Sequence, residues 1–299
     1  MNNSQNKRIY LDFASTTPLD EKVLTAMKPY FLKNFANPSS IYREGVEAKK
    51  AVDCARVEIS QILNCRSEEI IFTSGGTEAN NMVLFGIFRS FYKKGNKKRN
   101  FIPHIITSKI EHPSVLEVCR EIEKEGGEVS YISVNKNGIV DLNEIKKSLK
   151  KNTVLVSIMY ANNEIGVIQP IAEIAKIIRI YKKKQLVTGE TGQVLLYSPY
   201  FHTDASQAVN YLDLKIDKLG VDFLTLDASK IYGPKGVGVL FIKKGIKLSS
   251  ILFGGGQEKG IRSGTENVSG IVGISKALQI VTQIRKKESA RLIEIRDYF

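Results

Sequence analysis

Lys230 stands in "DASKIYGPKG" (227–236), between the apolar runs "VDFLTL" and "VGVLFI". Both runs read as buried strands, so the turn sets a lysine where a strand leaves the core. An amine in a partly desolvated crevice has a lowered pKa and is nucleophilic. Lys235, between Pro234 and Gly236, reads as an exposed turn lysine instead. Four more polar clusters follow apolar runs: "SGGTEANN" (74–81), "SKIEHP" (108–113), "ANNEIG" (161–166) and "HTDASQ" (202–207).

Each cluster carries recognisable chemistry. Ser74-Gly75-Gly76-Thr77 ends a strand and opens a helix. Glycines admit close backbone approach, and free N–H groups at a helix start seat an anion such as phosphate. A plain helix cap explains that stretch equally well. Asp204 follows apolar residues, so its carboxylate needs a cation or hydrogen bonds. A lysine would serve, and so would a protonated ring nitrogen. His112 suits proton transfer near neutral pH, although a lone histidine is often structural. A phosphate seat, a carboxylate for a ring nitrogen and a lysine for an aldehyde are the three fixtures of a pyridoxal phosphate (PLP) site.

The elements that position these groups alternate. "EIIFTS", "HIITS", "EVSYISV", "TVLVSIMY", "VDFLTL" and "VGVLFI" read as strands, and amphipathic helical stretches separate most of them. That rhythm predicts an α/β fold, a mainly parallel sheet flanked by helices. Ligands of such sheets bind along the carboxyl edge of the strands, where the five clusters fall. The segment 185–200 is the least regular and reads as an inserted loop or hairpin. Residues 271–299 read as one long amphipathic helix.

The chain has 299 residues, 42% hydrophobic and 25% charged, an ordinary globular balance. No run is long enough to span a membrane, and the N-terminus lacks the apolar core of a signal peptide. A cytoplasmic location is expected. The net charge of +13 comes from lysines scattered over helices and loops, so a direct nucleic-acid partner is not favoured. Cys54, Cys65 and Cys119 are three, odd and widely spaced, which fits neither a disulfide framework nor a metal cluster.

Taken in order, "YLDFASTTP", "NPSSIYREG", "FTSGGTEANN", "EHPSVLE", "ANNEIGVIQPI", "HTDASQA", "KIYGPKGVG" and "GGGQEKGIRSGTENV" span most of the chain. In these motifs the chain resembles the NifS/IscS-like cysteine desulfurases, in the class V aminotransferase group of fold-type I PLP enzymes. The resemblance implies a large PLP-binding domain over 16–262. Residues 1–15 would associate with a small domain that begins at 263–299. It makes Lys230 the Schiff-base lysine, Asp204 the partner of the pyridinium nitrogen and Gln207 the partner of the ring oxygen. His112 would stack on the ring and move protons. Gly76, Thr77 and Ser229 would hold the phosphate, and Asn163 would lie beside cofactor and substrate. Thr265 would reach the phosphate of a neighbouring subunit, which implies a homodimer. The implied reaction turns L-cysteine into L-alanine and passes sulfur as a persulfide to iron–sulfur assembly or tRNA thiolation proteins.

The chain departs from that pattern in four places. The family's nucleophilic cysteine follows the long last helix, and no cysteine stands there, so the chain is expected to be a C-terminally truncated fragment. A non-catalytic PLP-fold scaffold, or another class V activity, is the alternative. Asp227 and Ser229 replace the usual serine and histidine of the lysine turn, and Asp227 is expected to point away from the phosphate or to meet a cation. The 185–200 segment is longer than usual. Phe13 replaces a common asparagine.

Overall fold

The computed structural model of the chain describes residues 8–95, 101–187 and 199–299. Among these, strands β1 (Ile70–Thr73), β2 (His104–Ser108), β3 (Glu128–Ile132), β4 (Thr153–Ser157), β5 (Tyr200–Asp204), β6 (Phe223–Asp227) and β7 (Gly238–Ile242) make one sheet. Its order is β1-β7-β6-β5-β4-β2-β3. Only β7 runs antiparallel to its neighbours, β1 and β6; the other pairings are parallel. The expected mainly parallel α/β sheet is therefore present.

Helices cover both faces of the sheet. They are α1 (Glu21–Met27), α2 (Pro29–Leu32), α3 (Arg43–Leu63), α4 (Gly76–Gly95), α5 (Pro113–Lys124), α6 (Leu142–Ser148), α7 (Ile171–Val187), α8 (Ile216–Leu219) and α9 (Val268–Tyr298). Strands β1, β2, β4 and β7 are buried at every position, which is why they read as unbroken apolar runs. Successive side chains still part to opposite faces. Ile70 and Phe72 enter one core with Val239 and Phe241, under α1, α3 and α9. Ile71 and Leu240 enter the other, under α4 and α5.

The long final helix divides along its length. Ile271, Ile274 and Leu278 are buried in the first core, against α1 and α3. Ile284, Ile293 and Ile295 are exposed. The irregular segment at 185–200 overlaps the end of α7 and the start of β5; its residues 188–198 lie outside the described residues. No helix among the described residues is long and apolar enough to cross a membrane.

Candidate active site

The carboxyl ends of β1, β2, β4, β5 and β6 open on one cavity of about 530 Å³. Every sequence-predicted site residue except Thr265 lines it: Gly76, Thr77, His112, Asn163, Asp204, Gln207, Ser229 and Lys230. Thr265 is exposed on the loop before α9, outside this cavity. Asp12, Ala14 and Ser15 close the cavity from the N-terminal segment.

Lys230 ends the one-turn 3-10 helix Ala228–Lys230 that follows β6. Its Nζ donates to the carbonyls of Ala14, at 3.2 Å, and Ser15, at 2.5 Å. The turn is pinned from several sides. The Thr17 N–H and hydroxyl both donate to the Ser229 carbonyl, and the Thr17 hydroxyl accepts from the Tyr232 N–H. Asn210 donates to the Lys230 carbonyl at 2.6 Å. Tyr232 has φ +60°, a left-handed conformation that costs a bulky residue energy. That density of bonds holds the strained turn in place. Lys235 is exposed, as its setting predicts.

Asp204 closes β5 and is only 8% exposed. Its carboxylate accepts from Asn80 Nδ2 at 2.7 Å and from the Ser206 N–H at 2.9 Å, both neutral donors. It makes no ion pair among the described residues. Asn80, fully buried on α4, donates to Ser114 Oγ as well, at 2.9 Å. Ser114 in turn meets His112 Nδ1 through its hydroxyl, at 2.8 Å, and its N–H, at 3.1 Å. A backbone N–H donating to Nδ1 makes that nitrogen the acceptor, so the proton of the neutral ring sits on Nε2. One chain of contacts, Asp204–Asn80–Ser114–His112, therefore fixes both the carboxylate and the histidine tautomer. Sequence reasoning missed Asn80. It lies in the quoted "TEANN" four residues into α4, one turn from Gly76, and that helical spacing was the available signal.

His112 is the single histidine at the cavity. His104 and His202 lie inside the sheet, held by Thr153 and Ser130 and by Ser157 and Thr225. Burial pushes both of their imidazoles below the usual range, so they stay neutral.

Gln207 Nε2 donates to the Ala14 carbonyl at 2.8 Å, and Asn163 donates to Glu164 at 2.8 Å. Beside Asp204, the Ser206 hydroxyl is buried and without a partner. A Cβ on Gly76 would come within 3.2 Å of it. The expectation for Asp227 is not met. Its side chain turns into the cavity and meets backbone N–H groups rather than a cation: Oδ2 accepts from Gly76 at 2.9 Å, Oδ1 from Ser229 at 2.8 Å. The reason is local. Asp227 is the N-cap of the 3-10 turn and faces the unpaired N–H groups that start α4.

Glu111, beside His112, is buried under the site. Burial raises its pKa from 4.5 to about 8. Hydrogen bonds from Ser108 and the Met159 N–H oppose that shift, and the Asp204 charge adds to it. Between those two pH values the folded chain holds a proton that the unfolded chain has lost, so stability falls as pH rises from about 4.5 to about 8. Glu111→Gln should flatten that fall: its advantage over wild type in urea midpoint should be larger at pH 8 than at pH 5. Parallel profiles for the two proteins would refute it.

The cysteines stand apart. Cys54 is exposed, Cys119 is buried, and none of the three lines the cavity. Burial pushes the Cys65 thiol up to about 12 and raises that of Cys119 as well, so both stay protonated and inert.

The class-V aminotransferase family pattern matches residues 9–296. The chain belongs to that family. A cysteine desulfurase IscS of Dictyoglomus turgidum is 47% identical over 98% of the chain and 68% of its own length. One from Methanosarcina thermophila is 42% identical over 98% and 67%. Among solved structures, a NifS-like protein superposes with TM-score 0.88 at 35% identity, covering 97% of this chain and 74% of that one. SspA in complex with cysteine gives 0.81 at 34%, covering 91% and 72%.

Class-V aminotransferases use PLP, and most of the cavity fits it. Asp204 is a buried carboxylate lacking a cation, as a ring nitrogen's proton requires. The orphaned Ser206 hydroxyl is a free donor close to Gly76 at the start of α4. Lys230 supplies an amine in the same cavity. The one discordant group is the Asp227 carboxylate, which already holds the Gly76 N–H.

Proposed function

We propose that this chain is a PLP-dependent cysteine desulfurase, converting L-cysteine to L-alanine and passing the sulfur to an acceptor thiol. The observation that carries the reading is Lys230 in one cavity with the buried Asp204 carboxylate, which has neutral donors and no cation among the described residues. The similarity to IscS and NifS-like proteins supports it.

Asp204 would hold the ring nitrogen, Gln207 the ring oxygen, and Gly76, Thr77, Ser206 and Ser229 the phosphate. Bound there, PLP supplies an electron-withdrawing ring that takes up the electrons left when a Cα–H bond breaks. The chain's own groups do the rest. Lys230 Nζ, here held by two carbonyls, would hold the aldehyde and, as a free amine, accept the Cα proton. His112, with its proton on Nε2, lines the cavity and would stack on the ring and give or take a proton at the substrate. Asn163, which lines the cavity, would lie beside both. The balance is L-cysteine plus a thiol giving L-alanine plus a persulfide: the Cβ–S bond breaks, an S–S bond forms, and Cβ gains hydrogen.

The proteins that finally receive the sulfur would be iron–sulfur scaffold or tRNA-thiolation proteins. We place the chain in the cytoplasm, as a homodimer in which Thr265 reaches the partner's phosphate site. Residues 16–262 form the large domain, and 263–299, with residues 1–15, belong to the small one; the exposed second half of α9 supports that division. The absence of a thiol at the cavity favours a second reading, a PLP-fold scaffold for sulfur transfer.

Alanine release separates the two readings. The chain, loaded with PLP and given L-cysteine and dithiothreitol, should yield alanine and sulfide in equal amounts, and turnover should stop without the added thiol. Cofactor attachment with no alanine would leave the scaffold.

A further inference from the structure

We infer that Asp227 is a built-in anion in the cofactor's phosphate seat, which weakens the site's hold on a phosphorylated aldehyde. The inference rests on the PLP reading above and concerns its phosphate end alone. The seat is the start of α4, a 20-residue helix whose first N–H groups and dipole favour an anion. Gly75, at φ +151°, turns the chain so that those groups face the cavity. Asp227 has taken that place. Its two oxygens bind Gly76 N–H and Ser229 N–H, one from each side of the seat. A Cβ on Gly75 would lie only 3.2 Å from Oδ2, so the carboxylate rests against the backbone of the loop.

Two effects oppose a phosphate there. The Gly76 N–H is already engaged, and the incoming dianion meets a carboxylate at short range in a partly desolvated site. Phosphate enters only if Asp227 swings off Gly76, which leaves Ser206, Thr77 and Ser229 as the remaining donors. A phosphate-free aldehyde, pyridoxal, has no group to place in that seat and is not penalised. Asp227 is thus a specificity-determining residue: it narrows the preference for PLP over pyridoxal.

The test is a titration of the cofactor-free protein with PLP, with pyridoxal and with inorganic phosphate, for wild type, Asp227→Ser and Asp227→Asn. Asparagine keeps the shape and the Ser229 contact should serine fail to fold. We expect PLP to bind about tenfold more tightly or better in both variants, with pyridoxal changed less than about twofold. Millimolar phosphate should raise the unfolding midpoint of the variants and leave wild type unmoved. Unchanged or weaker PLP binding in both variants would overturn the inference, as would equal stabilisation of wild type by phosphate. If neither aldehyde attaches to Lys230 in any protein, the PLP reading fails, and the phosphate titration still decides the role of Asp227.

Discussion

Lys230→Ala should abolish the borohydride-fixed adduct with PLP and lower alanine formation by about 10³-fold or more. On the proposed reading the amine has two tasks, holding the aldehyde and moving the Cα proton, and no other lysine lines the cavity among the described residues. Lys235, the other lysine of the turn, is exposed and spends its Nζ on the Thr17 carbonyl at 3.4 Å. Lys235→Ala is the matched control and should keep the adduct. The substitution at 230 should spare the fold, because the turn is held through backbone groups. Asn210 binds the Lys230 carbonyl, Ile231 N–H the Ala228 carbonyl, and Thr17 the Ser229 carbonyl. An unchanged unfolding midpoint with no adduct on peptide mapping is the expected pair of results. An adduct that persists in Lys230→Ala would move the cofactor lysine elsewhere.

Glu258→Ala should be the most destabilising single change away from the cavity, by roughly 3–5 kcal/mol, or about 10 °C in unfolding midpoint. The Glu258 side chain is 2% exposed and pairs with Arg56 through two bonds, of 2.6 and 2.9 Å. It also accepts from the Phe72 N–H at 2.9 Å, inside β1. Arg56 donates further to the Ile70 carbonyl and stacks over Phe72, 4.7 Å from its centroid. Removing the carboxylate leaves a guanidinium 14% exposed with no counter-ion, which is the costly half of a broken pair. Glu258 has φ +44°, and alanine shares that strain, so the comparison isolates the carboxylate. The double variant Arg56→Met, Glu258→Leu should recover much of the loss. If Glu258→Ala costs under about 1 kcal/mol, the pair behaves as a surface bridge.

The loop that Glu258 anchors bears on the site. Arg262, four residues on, binds Glu78 on the first turn of α4 at 2.7 Å, and Glu78 also holds Ser74. Thus "GGGQEKGIRSGTEN" is tied at one end to β1 and at the other to the helix that opens the cavity. The sequence marks this stretch as a family motif, yet nothing in it reveals that Glu258 is buried. Burial of a carboxylate depends on Arg56, 202 positions away, and no local pattern reports such a pairing.

The strands and the clusters at their carboxyl ends were legible because both depend on short-range chemistry. Buried parallel strands require unbroken apolar residues, and polar groups collect where those strands end. Lys230, Asp204, His112 and Gln207 were therefore readable as one edge, and the motif order named the family. The spacing of Asn80 from Gly76 put it near the site, but its role was not readable, since its partners Ser114 and Asp204 come from two other segments. Asp227 shows the limit most clearly. Its identity, and its conflict with a phosphate, were plain in "DASK". Whether its carboxylate turned away or took the seat was decided by the Gly76 N–H, 151 positions earlier, arriving unpaired within hydrogen-bond reach. The sequence by itself determined the fold class and the family and marked Lys230 as the candidate, because side-chain type and period carry them. Only the tertiary structure decided which polar groups pair and which stay free for a ligand, because a buried hydrogen bond depends on distances that the packed sheet and helices set.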